Sequence, residues 1–303
     1  MKVLVTGGAG FIGSHVAEAY AQAGHEVVVI DNLSTGRLEN IPEGVRFVAM
    51  DVTSEELREL FEREQFDVVN HHAAHMELRV SVEKPLHDAA VNILGSINVM
   101  EAAMRTSRPH VILASTSAVL GEMYQFPADE EHPAKPIAPY GVSKRAVELY
   151  ADYYRVTHGL TITTLRYTNV YGPRQNPFGE SGVMAIFLHK HLSGEQCRIH
   201  GDGSQVRDYI YVSDVAAANL TASDHRLNET YMVCTSTEAS VLDVVHHLEH
   251  ALGERLTVEH GPAKAGDPAR TLGSYQRMHR ATGWKPTMDL PSGIVRTVAS
   301  FRK

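Results

Sequence analysis

Between two short apolar runs the chain carries a turn that few folds accommodate. The stretch "KVLVTGGAGFIGSHVAEAYAQAGHEVVVIDN" reads strand, tight turn, helix, strand. Val3, Leu4 and Val5 form the first run. Gly7, Gly10 and Gly13 follow three residues apart, and Phe11, Ile12, Val16, Ala19 and Tyr20 then recur at helical spacing. Gly24 ends the helix, and "EVVVI" is the next buried strand. Glycines in such a turn let backbone N–H groups approach a pyrophosphate, and the helix N-terminus adds its positive end. Asp31 closes the second strand, about twenty residues beyond the glycines. A carboxylate there accepts hydrogen bonds from an adenosine ribose diol and repels a 2′-phosphate, so the pattern predicts NAD over NADP.

The alternation continues. "VRFVAMDVT" is a third strand ending at Asp51, which is suited to meet the adenine. "SEELRELFERE" is a helix with Ser54 as its N-cap. "FDVVNHHAA" is a fourth strand, "LHDAAVNILGSINVMEAAMRT" one long helix, and "PHVILASTS" a fifth strand. Strands alternating with helices predict an α/β fold, a Rossmann-type doubly wound parallel sheet covered on both faces. Ligands sit beyond the carboxyl ends of such strands, which puts Asp31, Ala73, Ala74 and Ser115 to Ser117 on one rim. After "TITTLRYTNVYGP" the alternation breaks down. The reading is an NAD-binding domain over residues 1–167, joined by a returning segment near 207–222, and a smaller C-terminal substrate-binding lobe over 168–303.

Composition narrows the partners. The chain has 303 residues, 43% hydrophobic and 21% charged, which is globular, and a formal net charge of -8 without a long basic run argues against nucleic acid. No apolar run is long enough to span a bilayer, and "MKVLVTGG" lacks the features of a signal peptide. Cys197 and Cys234 have neither metal nor disulfide spacing, so a cytoplasmic location is expected. "HHLEH" sets His246 and His250 one helical turn apart without the acid of a zinc-protease helix between them. "HHAAH", His71 to His75, lies at a strand end without a carboxylate or cysteine nearby in sequence. No metal site is expected.

"APYGVSKRAVELYADYY" opens a helix with Tyr140 and Lys144 four residues apart, on one face. A free tyrosine has a pKa of about 10, and a nearby lysine cation is expected to lower it until a phenolate can take a proton near neutral pH. The lysine can also hold a nicotinamide ribose. A hydroxyl from Thr116, at the end of the fifth strand, would share the proton and orient the substrate oxygen. A lone Tyr-x-x-x-Lys is usually two polar residues on a helix surface; the cradle and the serine/threonine cluster favour the acid/base reading.

These residues resemble the extended short-chain dehydrogenase/reductase superfamily, and within it NAD-dependent nucleotide-sugar epimerases of the UDP-glucose 4-epimerase type. The matching stretches are "TGGAGFIGSH", "DNLSTG", "NILGSINVMEAA", "YGVSK", "RYTNVYGPRQNP", "GDGSQVRDYIYVSDVA" and "TGWKP", spread over nearly the whole chain. The resemblance implies Thr116, Tyr140 and Lys144 as catalytic residues, Thr116 being found by counting back from Gly121. It implies cofactor contacts from Gly7, Gly10, Phe11, Ile12, Gly13, Asp31, Asn32, Asp51, Val52, Ala73, Ala74, Asn92, Ser115, Tyr140 and Lys144. For a nucleoside-diphosphate sugar it implies Thr116, Ser117, Tyr140, Asn169 and Arg207, with Arg270 as a second cation and Thr271 as the residue gating the pocket beside carbon 2. It also implies a homodimer through helices around Asn92 to Met104 and Ala146 to Tyr154. Leu120 departs from the family's tyrosine before Gly121. Ser117 and Ala118 stand where a 4,6-dehydratase carries Asp-Glu, which argues against elimination. A 4-reductase, a decarboxylase and a non-catalytic dinucleotide sensor are the alternatives; the intact Tyr140–Lys144 pair argues against the sensor.

Overall fold

The apolar runs become β1 (Lys2–Thr6), β2 (Glu26–Asp31), β3 (Arg46–Ala49), β4 (Val68–His71), β5 (His110–Thr116) and β6 (Ile162–Tyr167), joined by a further strand, Thr230–Val233, in one seven-stranded sheet. Its order is Thr230–Val233, β6, β5, β4, β1, β2, β3. β1 runs parallel to β2 and β4, β2 to β3, and β4 to β5. Runs such as Val27–Ile30 and Val68–Val69 are buried at consecutive positions, as in a sheet covered on both faces. The strand order reverses between β1 and β4, so the turns leaving these two strands face one crevice.

The computed structural model describes residues 1–178, 182–263 and 268–302. They form two units. The first comprises Met1–Gly121, Pro133–Arg166 and Val215–Tyr231; the second comprises Glu122–His132, Tyr167–Asp214 and the chain from Met232. Thus the chain enters the second unit briefly at Glu122, and the returning stretch begins at Val215, inside the helix Val212–Asp224.

Helices of the first unit are α1 (Phe11–Gln22), α2 (Leu57–Glu64), α3 (Leu78–Glu83), α4 (Pro85–Ala89), α5 (Gly95–Arg105) and α6 (Pro139–His158). Leu4, Val28, Val69, Val111 and Leu113 of the sheet share one core with Phe61, Met100, Val147 and Tyr154. Each such side chain contributes about 1.5–3 kcal/mol on full burial. Two helix expectations need correction. The second helix starts at Leu57, and Ser54 does not cap it; its hydroxyl instead accepts from the Glu56 N–H at 3.2 Å in a local turn. The long helix is not regular, because Ala90–Leu94 forms a π-helical turn between α4 and α5. Such turns shift the face that a helix presents.

In the second unit, Asn169–Tyr171 pairs parallel with Tyr209–Tyr211, Val206–Arg207 antiparallel with Ala239–Ser240, and Cys197–His200 parallel with Val258–Gly261. Helices Val183–Leu192, Val241–Leu252 and Leu290–Phe301 bury Leu188, Val244, Leu248 and Ile294 in its core. Among the described residues, no helix is long and apolar enough to cross a membrane.

Candidate active site

The turn after β1 is built for close approach. Gly7 has φ +66°, and a Cβ there would lie 2.6 Å from the Ala73 nitrogen in the turn after β4. A Cβ on Gly13 would lie 2.2 Å from the Gly7 carbonyl oxygen. A side chain at Gly7 would push this turn off the one after β4, and a side chain at Gly13 would push the start of α1, which begins at Phe11 with Gly10 before it, off the turn. Free N–H groups at such a helix start suit a pyrophosphate.

Asp31, at the end of β2, is buried. Its Oδ2 accepts from the Ala9 N–H at 3.0 Å and its Oδ1 from the Leu33 N–H at 2.8 Å. These bonds aim the carboxylate and leave further lone pairs for a ribose diol. Gly36 is part of this pocket although the sequence reading passed over it: a Cβ would sit 2.9 Å from both Asp31 oxygens. Asn32 donates to Asp51 at 2.7 Å, and the Thr53 N–H and hydroxyl bond the other Asp51 oxygen at 2.8 and 2.6 Å. Burial raises the Asp51 carboxyl, but these donors outweigh it and leave its pKa below the ordinary value. Val52 beside it is buried, and Ala73 donates its N–H to Thr6 Oγ1 at 3.1 Å. The donor set, the open glycine turn and the aimed carboxylate fit the diphosphate and adenosine ribose of NAD.

Asn92 lies in the π-helical turn, and its amide is engaged by protein. Its Oδ1 accepts from the His75 N–H at 2.8 Å, while its Nδ2 faces the His75 carbonyl at 2.9 Å, Asp88 Oδ1 at 3.0 Å and Ser143 Oγ at 3.1 Å. Ser143 in turn donates to the Tyr140 carbonyl at 2.9 Å. Asn92 thus ties the turn after β4 to the first turns of α6.

The structure brings Thr116, Tyr140 and Lys144 together at the end of β5. Thr116 Oγ1 accepts from the Ala118 N–H at 3.1 Å, and its hydroxyl lies close enough to Tyr140 to pull the phenol's pKa down. The buried Lys144 donates from Nζ to the Ala114 carbonyl at 3.0 Å. The expected fall in the Tyr140 pKa is not what this arrangement produces. Burial pushes the phenol up to about 12, Thr116 pulls it down and Asp88 pushes it up; Lys144 is not among these influences. Burial lowers Lys144 to about 8, opposed by the Asp88 and Glu148 carboxylates. Ser115 turns the other way, donating to Glu148 at 2.7 Å. Ser117 opens a short helical turn, and Leu120, in place of the tyrosine, is fully buried.

In the second unit, the expected substrate residues gather around Asp208. Its Oδ1 accepts from the Thr235 N–H and hydroxyl at 2.8 and 2.7 Å, and its Oδ2 from the Ser236 N–H at 2.9 Å and the Gly273 N–H at 3.3 Å. Asn169 donates both its N–H and its side-chain amide to the Asp208 carbonyl, at 3.0 and 3.2 Å. Val206 accepts from the Thr271 N–H at 3.0 Å, which sets Thr271 beside the Arg207 strand. Arg207 is half-buried and donates to the Val206 carbonyl at 2.9 Å. The Asp214 carboxylate accepts from the Thr287 hydroxyl and the Met288 N–H at 2.7 and 3.0 Å. Arg270 is exposed, pairs with Glu238 and lies 4.2 Å over the Phe126 ring. Among the described residues, no group of three His, Cys, Asp or Glu side chains could hold a metal ion.

Residues 3–234 match the NAD dependent epimerase/dehydratase family. The chain belongs to this family. It is similar to the crystal structure of Thermus thermophilus UDP-glucose 4-epimerase in complex with NAD, with 40% identity, a TM-score of 0.94, and 100% of this chain and 99% of that one covered. Thermotoga maritima UDP-glucose 4-epimerase, crystallised with UDP-glucose, is 38% identical, with a TM-score of 0.96 and the same coverage of each chain. UDP-N-acetylglucosamine 4-epimerase of Methanobrevibacter ruminantium, in complex with UDP-N-acetylmuramic acid, is 31% identical, with a TM-score of 0.95 over 99% of this chain and 98% of that one.

Proposed function

We propose that this family member is an NAD-dependent epimerase that inverts carbon 4 of a nucleoside-diphosphate sugar through a transient 4-keto sugar. The observation that carries the reading is the gathering of Thr116, which lowers the Tyr140 pKa against burial, Tyr140 itself and the Ala114-anchored Lys144 at the end of β5, in a chain similar end to end to UDP-glucose 4-epimerases.

When bound, NAD supplies a cationic nicotinamide ring that takes up the carbon-4 hydride and gives it back. The chain's own residues handle the proton and the geometry. Tyr140 takes the proton of the sugar 4-hydroxyl and returns it after the 4-keto sugar has presented its other face. Thr116 lowers the Tyr140 pKa against burial, and the cationic ring of bound NAD would add to this, so Tyr140 enters the step as the phenolate that accepts the sugar proton and leaves it as the phenol that gives the proton back. Lys144, anchored on the Ala114 carbonyl, holds the nicotinamide ribose. Asp31 grips the adenosine ribose and selects NAD over NADP. Asn169, Arg207 and Arg270 bind the diphosphate, Arg270 by leaving Glu238. Ser117 bonds the sugar and Thr271 leaves room beside carbon 2. The contacts of Gly10, Phe11, Ile12, Asn32, Asp51, Val52, Ala73, Ala74 and Ser115 belong to the cofactor side.

The protein acts as a homodimer in the cytoplasm. Val142, Leu149, Tyr153 and Val156 stand exposed along α6, Val156 at 85%, a stripe that a second copy would cover.

The test is to incubate the pure protein with UDP-, GDP-, dTDP- and CDP-sugars, resolve the products and follow reduction of bound NAD. Equilibration of a 4-epimer pair is the expected outcome. Water loss or decarboxylation without epimer exchange would overturn the reading.

A further inference from the structure

Three consecutive residues at the end of β5 are each tied to α6. The Ala114 carbonyl accepts from Lys144, Ser115 donates to Glu148, and the Thr116 hydroxyl lowers the Tyr140 pKa from close by. On the helix these partners are Tyr140, Lys144 and Glu148, spaced four residues apart along one face. Tyr140 and Lys144 have chemical roles in the reading above. Glu148 has none, yet it is the most heavily bonded carboxylate of the cluster and is buried.

Its Oε1 accepts from Ser115 at 2.7 Å and from Arg166 Nε at 2.9 Å. Its Oε2 accepts from Arg166 Nη2 at 2.8 Å and Arg145 Nη1 at 2.9 Å. The two-pronged Arg166 contact fixes the plane of the carboxylate. Burial raises Glu148, but Arg166, Ser115 and Arg145 outweigh it and keep the group ionised. A fixed anion one helical turn from a buried ammonium stabilises that ammonium's charge.

We infer that Glu148 is a positioning residue for the reaction: held by Arg166, it locks the Ser115–Thr116 strand end against α6 and keeps Lys144 cationic. The inference rests on the epimerase reading for its catalytic meaning. The charged and titratable groups around Lys144 are Asp88 on α4, Glu148, Arg145 and Tyr140 on α6, Arg166 on β6, and His71 and His72 at the end of β4. The two histidines stay neutral above about pH 3, so they do not titrate alongside Lys144.

Two substitutions should act in opposite directions. Glu148→Gln removes the anion and leaves two guanidiniums, so Lys144 should lose its proton at lower pH. Arg145→Gln removes a partly exposed cation and should move that step to higher pH. The experiment follows Lys144 by carbon NMR of lysine labelled at the ε-carbon, in the full-length protein, and records kcat against pH for each variant. The titration of Lys144 and the alkaline limb of kcat should both move down by about half a pH unit or more in Glu148→Gln, and up in Arg145→Gln. Unmoved midpoints, or shifts of the same sign in both, would overturn the inference. Should Glu148→Gln not fold, the sign in Arg145→Gln decides alone. A parent that epimerises no sugar nucleotide sinks the epimerase reading, while the NMR titrations still decide what Glu148 does to Lys144.

Discussion

Nδ1 of His71 lies 2.7 Å from Oγ1 of Thr6, and the direction of this hydrogen bond follows from its neighbours. Thr6 Oγ1 accepts from the Ala73 N–H and keeps its own proton to give to a ring nitrogen that carries none. On the other side, Ser96 donates to the Asn92 carbonyl at 2.6 Å and so accepts from His71 Nε2, 2.9 Å away. Burial keeps His71 neutral, so with its proton on Nε2 the Nδ1 atom accepts from Thr6, and the ring links the turn after β4 to the π-helical turn.

Protonation would break that chain. Burial lowers both His71 and His72 to about 3, with the Lys144 charge adding to it. Their folded pKa values lie below the unfolded value of about 6.5, so the unfolded chain binds more protons between these limits. The stability they contribute is present above about pH 6.5 and is lost as pH falls toward 3. Urea midpoints should drop already between pH 6.5 and 5, before ordinary carboxylates titrate. A midpoint flat across that range would contradict the assignment.

Replacing Tyr140 by Phe deletes the proposed proton carrier and leaves the cradle intact. Turnover should fall by about 10²–10⁴-fold with NAD retention unchanged. Retained turnover within threefold of the parent would remove Tyr140 from the chemistry. Lys144→Ala should weaken both turnover and cofactor retention.

The proposed discrimination between NAD and NADP rests on Asp31, with Gly36 giving it room. Asp31→Ala should narrow the NAD preference by about tenfold or more, since bonds to an ionised group contribute about 1.5–3 kcal/mol. Gly36→Ala places a methyl 2.9 Å from both carboxylate oxygens and should weaken NAD binding. Fluorescence titration of the two cofactors measures both effects, and equal binding by the parent refutes the role of Asp31.

Thr271 yields two separable outcomes. Its Oγ1 is buried and has no hydrogen-bond partner among the described residues. Thr271→Val should therefore leave stability unchanged or raise it, by up to about 1 kcal/mol in a thermal melt. Thr271→Tyr should lose UDP-N-acetylglucosamine selectively and keep much of the UDP-glucose activity. Equal loss of both sugars would show that Thr271 is not the gate.

The individual strands, the glycine turn, Asp31 and the Tyr140–Lys144 pair were legible in the linear chain for a common reason. Each depends on residues within a few turns or one strand–helix unit of one another, where backbone periodicity alone sets direction. The π-helical turn at Ala90–Leu94, Gly36 under Asp31 and Glu148 behind Ser115 were not legible, because each is defined by a partner from another element. Nor could spacing show that Arg270 lies on Phe126 beside Glu238, segments more than a hundred residues apart in the first case. The Tyr140 pKa makes the division clearest. Sequence put a lysine on the same helix face and so predicted a lowered phenol. Burial outweighs that expectation, and desolvation is set by everything that packs around a side chain, which only the tertiary structure decides.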